Sequence, residues 1–190
     1  MRDLETGSLW SHILGQAMRG PLQGEQLAIL PSEVTTWVDW LSRYPETTVL
    51  NLSRTAEAFD TQDAQLGARG ALGYGVRVHG ETKAYSRSVL IENPLFHDEV
   101  GGEPIVLVSD SMAVRTVAYF RKVDDHTLRF QSTEEASVAR DQGTGRLWDL
   151  DAGVSRDLDS VSLERVAGYI TYLSAWERFF PGSEIVREAP

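Results

Sequence analysis

The alternation of apolar and polar positions divides this chain into short strands and two helical stretches. Leu9 alternates with Ser8 and Trp10 beside tight turns, which predicts β-hairpins over residues 3–24, with one turn at Leu14-Gly15-Gln16 and a breaker cluster at GPLQG, Gly20 to Gly24. Residues 25–30 read as a further short strand. Ser32 suits a helix N-cap, and Glu33 places a carboxylate in the first turn, where it complements the helix dipole. Val34, Trp37, Trp40, Leu41 and Tyr44 then fall on one helical face, Pro45 stops the helix, and residues 47–50 read as a strand. Further on, Tyr74, Val76 and Val78 alternate, HGET turns, and residues 84–86 return. Residues 89–102 read as a connection ending in a turn at 98–102, and 104–108 as a fully apolar, buried strand. Residues 116–123 and 127–131 pair across an Asp124-Asp125-His126 tip. Tyr169, Tyr172, Leu173, Trp176, Phe179 and Phe180 form an aromatic stripe at helical spacing, ended by Pro181-Gly182.

One stretch occurs twice. DLETGSLW, Asp3 to Trp10, is echoed by DQGTGRLW, Asp141 to Trp148, and the frame continues downstream. Gly15 matches Gly153; after a two-residue slip Leu27 matches Leu163, Trp40 matches Trp176, Pro45 matches Pro181 and Val49 matches Ile185. A shared frame of this length predicts an internal duplication. The expected fold is α+β and β-rich: duplicated antiparallel hairpin or small barrel-like units, each closed by one amphipathic helix. Residues 1–50 are the C-terminal part of a first repeat, 51–70 a linker with neither clear period nor much apolar content, and 71–190 a second repeat.

Composition narrows the function classes. A formal net charge of −10 argues against sequence-independent binding to nucleic acid and against adsorption to anionic lipid. The absence of cysteine excludes disulfides, thiolate metal sites and cysteine nucleophiles. No apolar run approaches the roughly 20 residues that span a bilayer, so membrane insertion is not expected. MRDLETGS has no apolar signal region, which by itself reads as cytoplasmic.

The candidate chemistry is sparse. In the repeated motif, Asp3, Thr6, Gly7 and Trp10, with Asp141, Thr144, Gly145 and Trp148, fit a scaffold: the aspartate fixes a turn, the glycine takes the positive φ, and the tryptophan anchors a core. Trp37, whose counterpart is Leu173, is the tryptophan placed to line a pocket. Asp149 and Asp151 open an aspartate-rich run that invites a cation, but Gly153 is fifth and Ser160 twelfth from Asp149, so the EF-hand pattern fails. His97, Asp98 and Glu99 form the densest polar cluster and are the catalytic candidates, although no second histidine stands at ligand spacing. Ser8, His12 and Asp39 can be assembled on paper as a triad, without a nucleophile elbow to support it. No cofactor is expected.

The motifs together resemble the DUF3179 family, bacterial and archaeal proteins of unknown function. The resemblance rests on D-x-x-T-G-S-x-W at Asp3 to Trp10, G-x-x-x-x-G-P-L-x-G at Gly15 to Gly24, T-T-W-x-x-W at Thr35 to Trp40, and on HGETKAYS, DEVGGEPIVLV and DDHTLRF in residues 73–186. It implies a fold, often an extracytoplasmic setting, and no established activity. Typical members carry a Cys-Pro-Leu-Cys element and a histidine in a complete first repeat. Here the comparable position of the second repeat reads Ser109-Asp110-Ser111-Met112, and Asn93 stands near the histidine's place. The expectation is a non-catalytic binding or assembly module, either a homodimer or a chain whose partner covers the edge left by a missing first repeat. The alternatives are a metal-dependent or carboxylate/histidine enzyme and the remnant of a longer gene.

Overall fold

The computed structural model describes residues 1–49, 71–111, 114–158 and 160–188; the expected linker at 51–70 lies outside them. Two short strands, β1 (Leu9–Ser11) and β2 (Gln16–Arg19), form the opening hairpin, and α1 (Trp37–Arg43) follows. The longer part begins with β3 (Leu72–Val78) and β4 (Glu81–Ser86), continues through α2 (Arg87–Glu92), and then lays down β5 (Leu95–Val100), β6 (Glu103–Ser109) and β7 (Thr116–Phe120) as an antiparallel meander. A small hairpin, β8 (Lys122–Val123) with β9 (His126–Thr127), leads to β10 (Phe130–Ser132), β11 (Val138–Asp141), β12 (Leu147–Asp149) and β13 (Val154–Ser155), one antiparallel sheet. The chain then returns to β3 with β14 (Gly168–Tyr172), turns into α3 (Leu173–Phe179), and adds β15 (Glu184–Val186) parallel to β4. The result is β-rich with three helices and several small open sheets; none closes into a barrel, so the barrel-like expectation is corrected. No helix among the described residues is long and apolar enough to cross a membrane.

The core lies in the longer part. Ile105, Val106 and Leu107 on β6 are fully buried, and because successive side chains of a strand point to opposite faces, β6 serves two clusters. Ile105 and Leu107 face Tyr74, Tyr85, Val89 and Leu90, whereas Val106 faces Tyr119, Phe130 and Trp148. A third cluster seats α3, through Leu173 and Trp176, against Ala84.

Several local expectations are corrected. Residues 25–30 make only an isolated bridge, Gln16 to Gln26, and the described residues 47–49 form no strand. The first helix begins at Thr36, whose hydroxyl accepts the Asp39 N–H, rather than at Ser32; the Ser32 hydroxyl reaches the Gly168 carbonyl instead. The connection at 89–102 is structured: Ser86 caps α2 by accepting from Val89 N, and residues 95–100 are a strand, which leaves only Gly101-Gly102 in the turn. The hairpin tip is Asp124-Asp125, and the returning strand leaves after Thr127 to pair with β11. The aromatic stripe is split, since residues 168–172 pair with β3 and only 173–179 are helical. Tyr169, Ile170, Thr171 and Tyr172 all favour strand when a neighbouring ladder is available, and that pairing overrides the helical spacing.

Candidate functional site

The two copies of the repeated turn have matching geometry. Asp3 accepts the Thr6 and Gly7 amides and the Thr6 hydroxyl; Asp141 accepts the Thr144 amide and hydroxyl. Gly7 and Gly145 sit at φ of 73° and 75°, the left-handed region in which a Cβ is disfavoured. The hydrogen bonds from the Trp10 indole and from Thr6 hold the Asp3 carboxyl at about 2. For Asp141, burial alone would raise the pKa, but the Thr144 hydroxyl and the Arg129 and Thr144 amides outweigh it and lower it. The copies differ in their tryptophans. Trp10 Nε1–H donates to Asp3 from a half-buried ring, whereas Trp148 is sealed in the core and its Nε1 has no partner.

The two helices repeat the pattern more sharply. Trp40 Nε1–H donates to Thr47 Oγ1 at 2.9 Å and Trp176 Nε1–H to Ser183 Oγ at 2.8 Å. Tyr44 and Phe180 tilt against these indoles at centroid distances of 4.5 and 4.4 Å, and both cap their helices at nearly the same φ and ψ. On α3 the residues that face the sheet are closed: Leu173 and Trp176 are 3% and 0% exposed. Helix α1 buries no residue, and Trp37 and Val38 are 49% and 75% exposed. Leu27 and Leu30 are likewise open, where Leu163 and Val166 are buried. Trp37 therefore stands on an open face and lines neither the cleft past Asp39 and Arg115 nor the one between Val34 and Ile170.

His97, Asp98 and Glu99 do not converge. They alternate along β5, so His97 and Asp98 point to opposite faces. His97 Nε2 accepts the Phe130 amide at 3.0 Å, which ties β5 to β10 and occupies the nitrogen a base or metal ligand would use. Burial, with Arg121 and Arg129 nearby, lowers its pKa to about 4, so the ring is neutral at pH 7. Asp98 lies on the other side, 2.8 Å from Lys83 and accepting the Tyr85 hydroxyl. Glu99 is exposed.

Asp149 and Asp151 are also committed to the scaffold. Asp149 accepts the Asp151 and Ala152 amides, and Asp151 pairs with Arg115. Arg115 leads to a cluster that sequence reasoning missed. Glu33, its side chain only 8% exposed, lies 2.7 Å from Arg43, 3.5 Å from Arg115 and 3.4 Å from Arg165. One carboxylate thus gathers three guanidinium groups and joins the opening segment to the longer part. Nothing in the spacing of these residues announces it. The triad drawn on paper is not assembled: Ser8 is buried and accepts Leu22 N, Asp39 bonds Thr36, and His12 is exposed. Among the described residues no group of three or more His, Asp or Glu side chains could hold a metal.

A cleft of about 480 Å³ with charged groups on its wall runs past Asp39, Arg43, Arg115 and Asp151, and an apolar one of about 610 Å³ lies between Ile13, Val34, Leu72, Leu90 and Ile170. Neither collects the sequence-predicted residues into a reacting constellation.

No curated protein and no solved structure matches the chain. The family described as "Protein of unknown function (DUF3179)" matches it over residues 1–62 and again over 53–183, two overlapping spans that cover nearly all of it. With the paired turn motifs and the paired tryptophan helices in view, the chain belongs to the DUF3179 family.

Proposed function

We propose that this protein is a non-catalytic binding or assembly module, built from one unit present in two copies, and that its working surface is the open face of α1. The observation that carries the reading is the pair of helices α1 and α3. They share the indole bond, the aromatic stack and the cap, yet α3 is sealed on a sheet and α1 is not. An apolar helix face left open is a common mark of an interaction surface. A scaffold role for His97, Asp98, Asp149 and Asp151 supports the same reading, because their polar atoms are engaged in bonds that hold strands and turns together.

The test is the variant in which Trp37 and Val38 are both replaced by aspartate. The expected result is weaker binding of an apolar fluorescent dye, with unchanged far-ultraviolet circular dichroism and thermal midpoint. A clear fall in the midpoint would mean that these side chains are covered in the folded protein, and would contradict the reading.

A further inference from the structure

We propose that the apolar cleft between the opening segment and the longer part binds an uncharged aliphatic molecule with a short polar end. This goes beyond the assembly reading and uses neither Trp37 nor Val38. The floor of the cleft is one face of the β3–β14 pair. Ile170 stands opposite Tyr74 and Tyr172 opposite Leu72, and cross-strand partners share a face. Tyr74 belongs to the core and Ile170 packs on it, so this apolar face runs on from the core into the cleft. Leu90 of α2 and Thr116 of β7 close the inner end. Each is only 1% exposed, so that end is shaped by the packed core before anything enters.

The opposite wall is Ile13 and Val34, and hydrogen bonds hold it in place. The Tyr169 hydroxyl donates to the Ile13 carbonyl at 3.1 Å, Arg77 Nη1–H to the Leu14 carbonyl at 3.0 Å, and the Ser32 hydroxyl to the Gly168 carbonyl at 3.4 Å. Glu33, next to Val34, is held by Arg115 and Arg165. Although it is fastened at residues 13–14 and again at 32–33, the segment does not seal the core. About 610 Å³ stays between its apolar side chains and the sheet, and Val34 is 51% exposed. A pre-formed cleft of this size, mostly apolar with few polar groups, has the character of a small-molecule site.

Charge decides the class of ligand. Among the described residues that line the cleft none is acidic, and the charged one, Arg87, already has a partner. A carboxylate or ammonium group placed here would lose its water without a counter-charge of its own. Half-buried Thr171 and Tyr172 supply hydroxyls for a neutral polar end.

The probe is a series of linear primary alcohols of increasing chain length, titrated into the whole protein by calorimetry. Alkanoates and alkylammonium ions of equal length are the controls. The expected result is saturable one-to-one binding that tightens about fourfold per added CH₂ until the cleft is full. Each charged analogue is expected to bind about tenfold or more weakly than the alcohol of its length. Val34→Asp should weaken the best alcohol by about tenfold or more, because it puts an unpaired carboxylate on the wall. Val114→Trp fills the cleft from its rim and should shorten the longest chain that still gains affinity. Both positions are more than a third exposed, so circular dichroism should match the parent. No saturable binding to the unaltered protein, alkanoates binding more tightly than alcohols, or parental binding by both variants overturns the proposal. The Trp37→Asp, Val38→Asp protein is expected to bind the alcohols as the parent does. If it stays folded and loses them, the chains sit on α1 and this proposal falls while the assembly reading stands. If it is destabilised, the assembly reading falls, and parental binding of the series by the unaltered protein still supports the cleft.

Discussion

The six-membered ring of Trp176 packs on Gly75, so close that a methyl group there would sit 2.2 Å from the indole ring. The strand and the helix are thus fitted to one another through the absence of a side chain. Gly75→Ala is expected to force the fully buried ring out of its seat and to cost about 1–3 kcal/mol, the range of overpacked cores. The backbone of Gly75 is not in the positive-φ region, so strain at this residue does not enter. Chemical denaturation of the variant checks the figure; an unchanged midpoint would show that the ring has room to move.

Glu33→Gln removes the one carboxylate shared by Arg43, Arg115 and Arg165. Breaking a buried pair costs about 3–5 kcal/mol, and because Arg43 and Arg165 are partly exposed the expected loss is about 2–3 kcal/mol. The opening segment should loosen first. Hydrogen exchange is expected to rise at residues 9–19 before it rises in β6, and uniform protection would contradict this.

His97 sets a pH dependence. Its folded pKa lies near 4, below the ordinary histidine value of 6.5, because burial and two arginines oppose the imidazolium. The unfolded chain therefore binds a proton at higher pH than the folded one. The contribution of His97 to stability is complete above about pH 6.5 and is lost progressively as pH falls toward 4. In His97→Phe that slope should flatten between pH 6.5 and 4, while stability at pH 7 falls by about 1–3 kcal/mol because the Phe130 amide loses its acceptor. A slope unchanged in the variant would assign the effect to other groups.

Asp3 and Asp141 act at lower pH. Both folded carboxyls titrate below the ordinary aspartate value, so their contribution is present above it and is lost as pH falls, toward about 2 for Asp3. Asp3→Asn and Asp141→Asn are expected to reduce the acid dependence of unfolding below pH 4. Circular dichroism melts at pH 4 and pH 2.5 check this, and identical shifts in variant and parent would exclude the turn aspartates as its source.

Much of the framework was legible from residue spacing. The paired Asp/Thr-Gly/Trp turns, the hairpin around His79-Gly80 and the apolar strand at 104–108 are local, so turn chemistry and alternation suffice to find them. What escaped was set at a distance. Residues 168–172 read as helix because their tyrosines fall at helical spacing, and only pairing with β3 makes them a strand. Glu33 read as a first-turn helix residue, yet its role depends on arginines more than a hundred residues apart in sequence. Gly73 and Gly75 carried a signal that alternation of Tyr74, Val76 and Val78 obscured: paired glycines inside a strand mark close approach of another element. The open face of α1 was hidden for a different reason, since its apolar stripe is the same whether or not anything covers it.

The central claim is that two helices with matching indole bonds and aromatic stacks differ in whether they are covered, and matched alanine substitutions test it most directly. Trp37→Ala and Leu173→Ala alter corresponding positions, and equilibrium denaturation of both reads their separate weights. Leu173→Ala is expected to lose about 2–5 kcal/mol, as buried leucines do, and Trp37→Ala to stay within about 0.5 kcal/mol of the parent. A loss in Trp37→Ala equal to that in Leu173→Ala would place the α1 face inside the fold and would contradict the account.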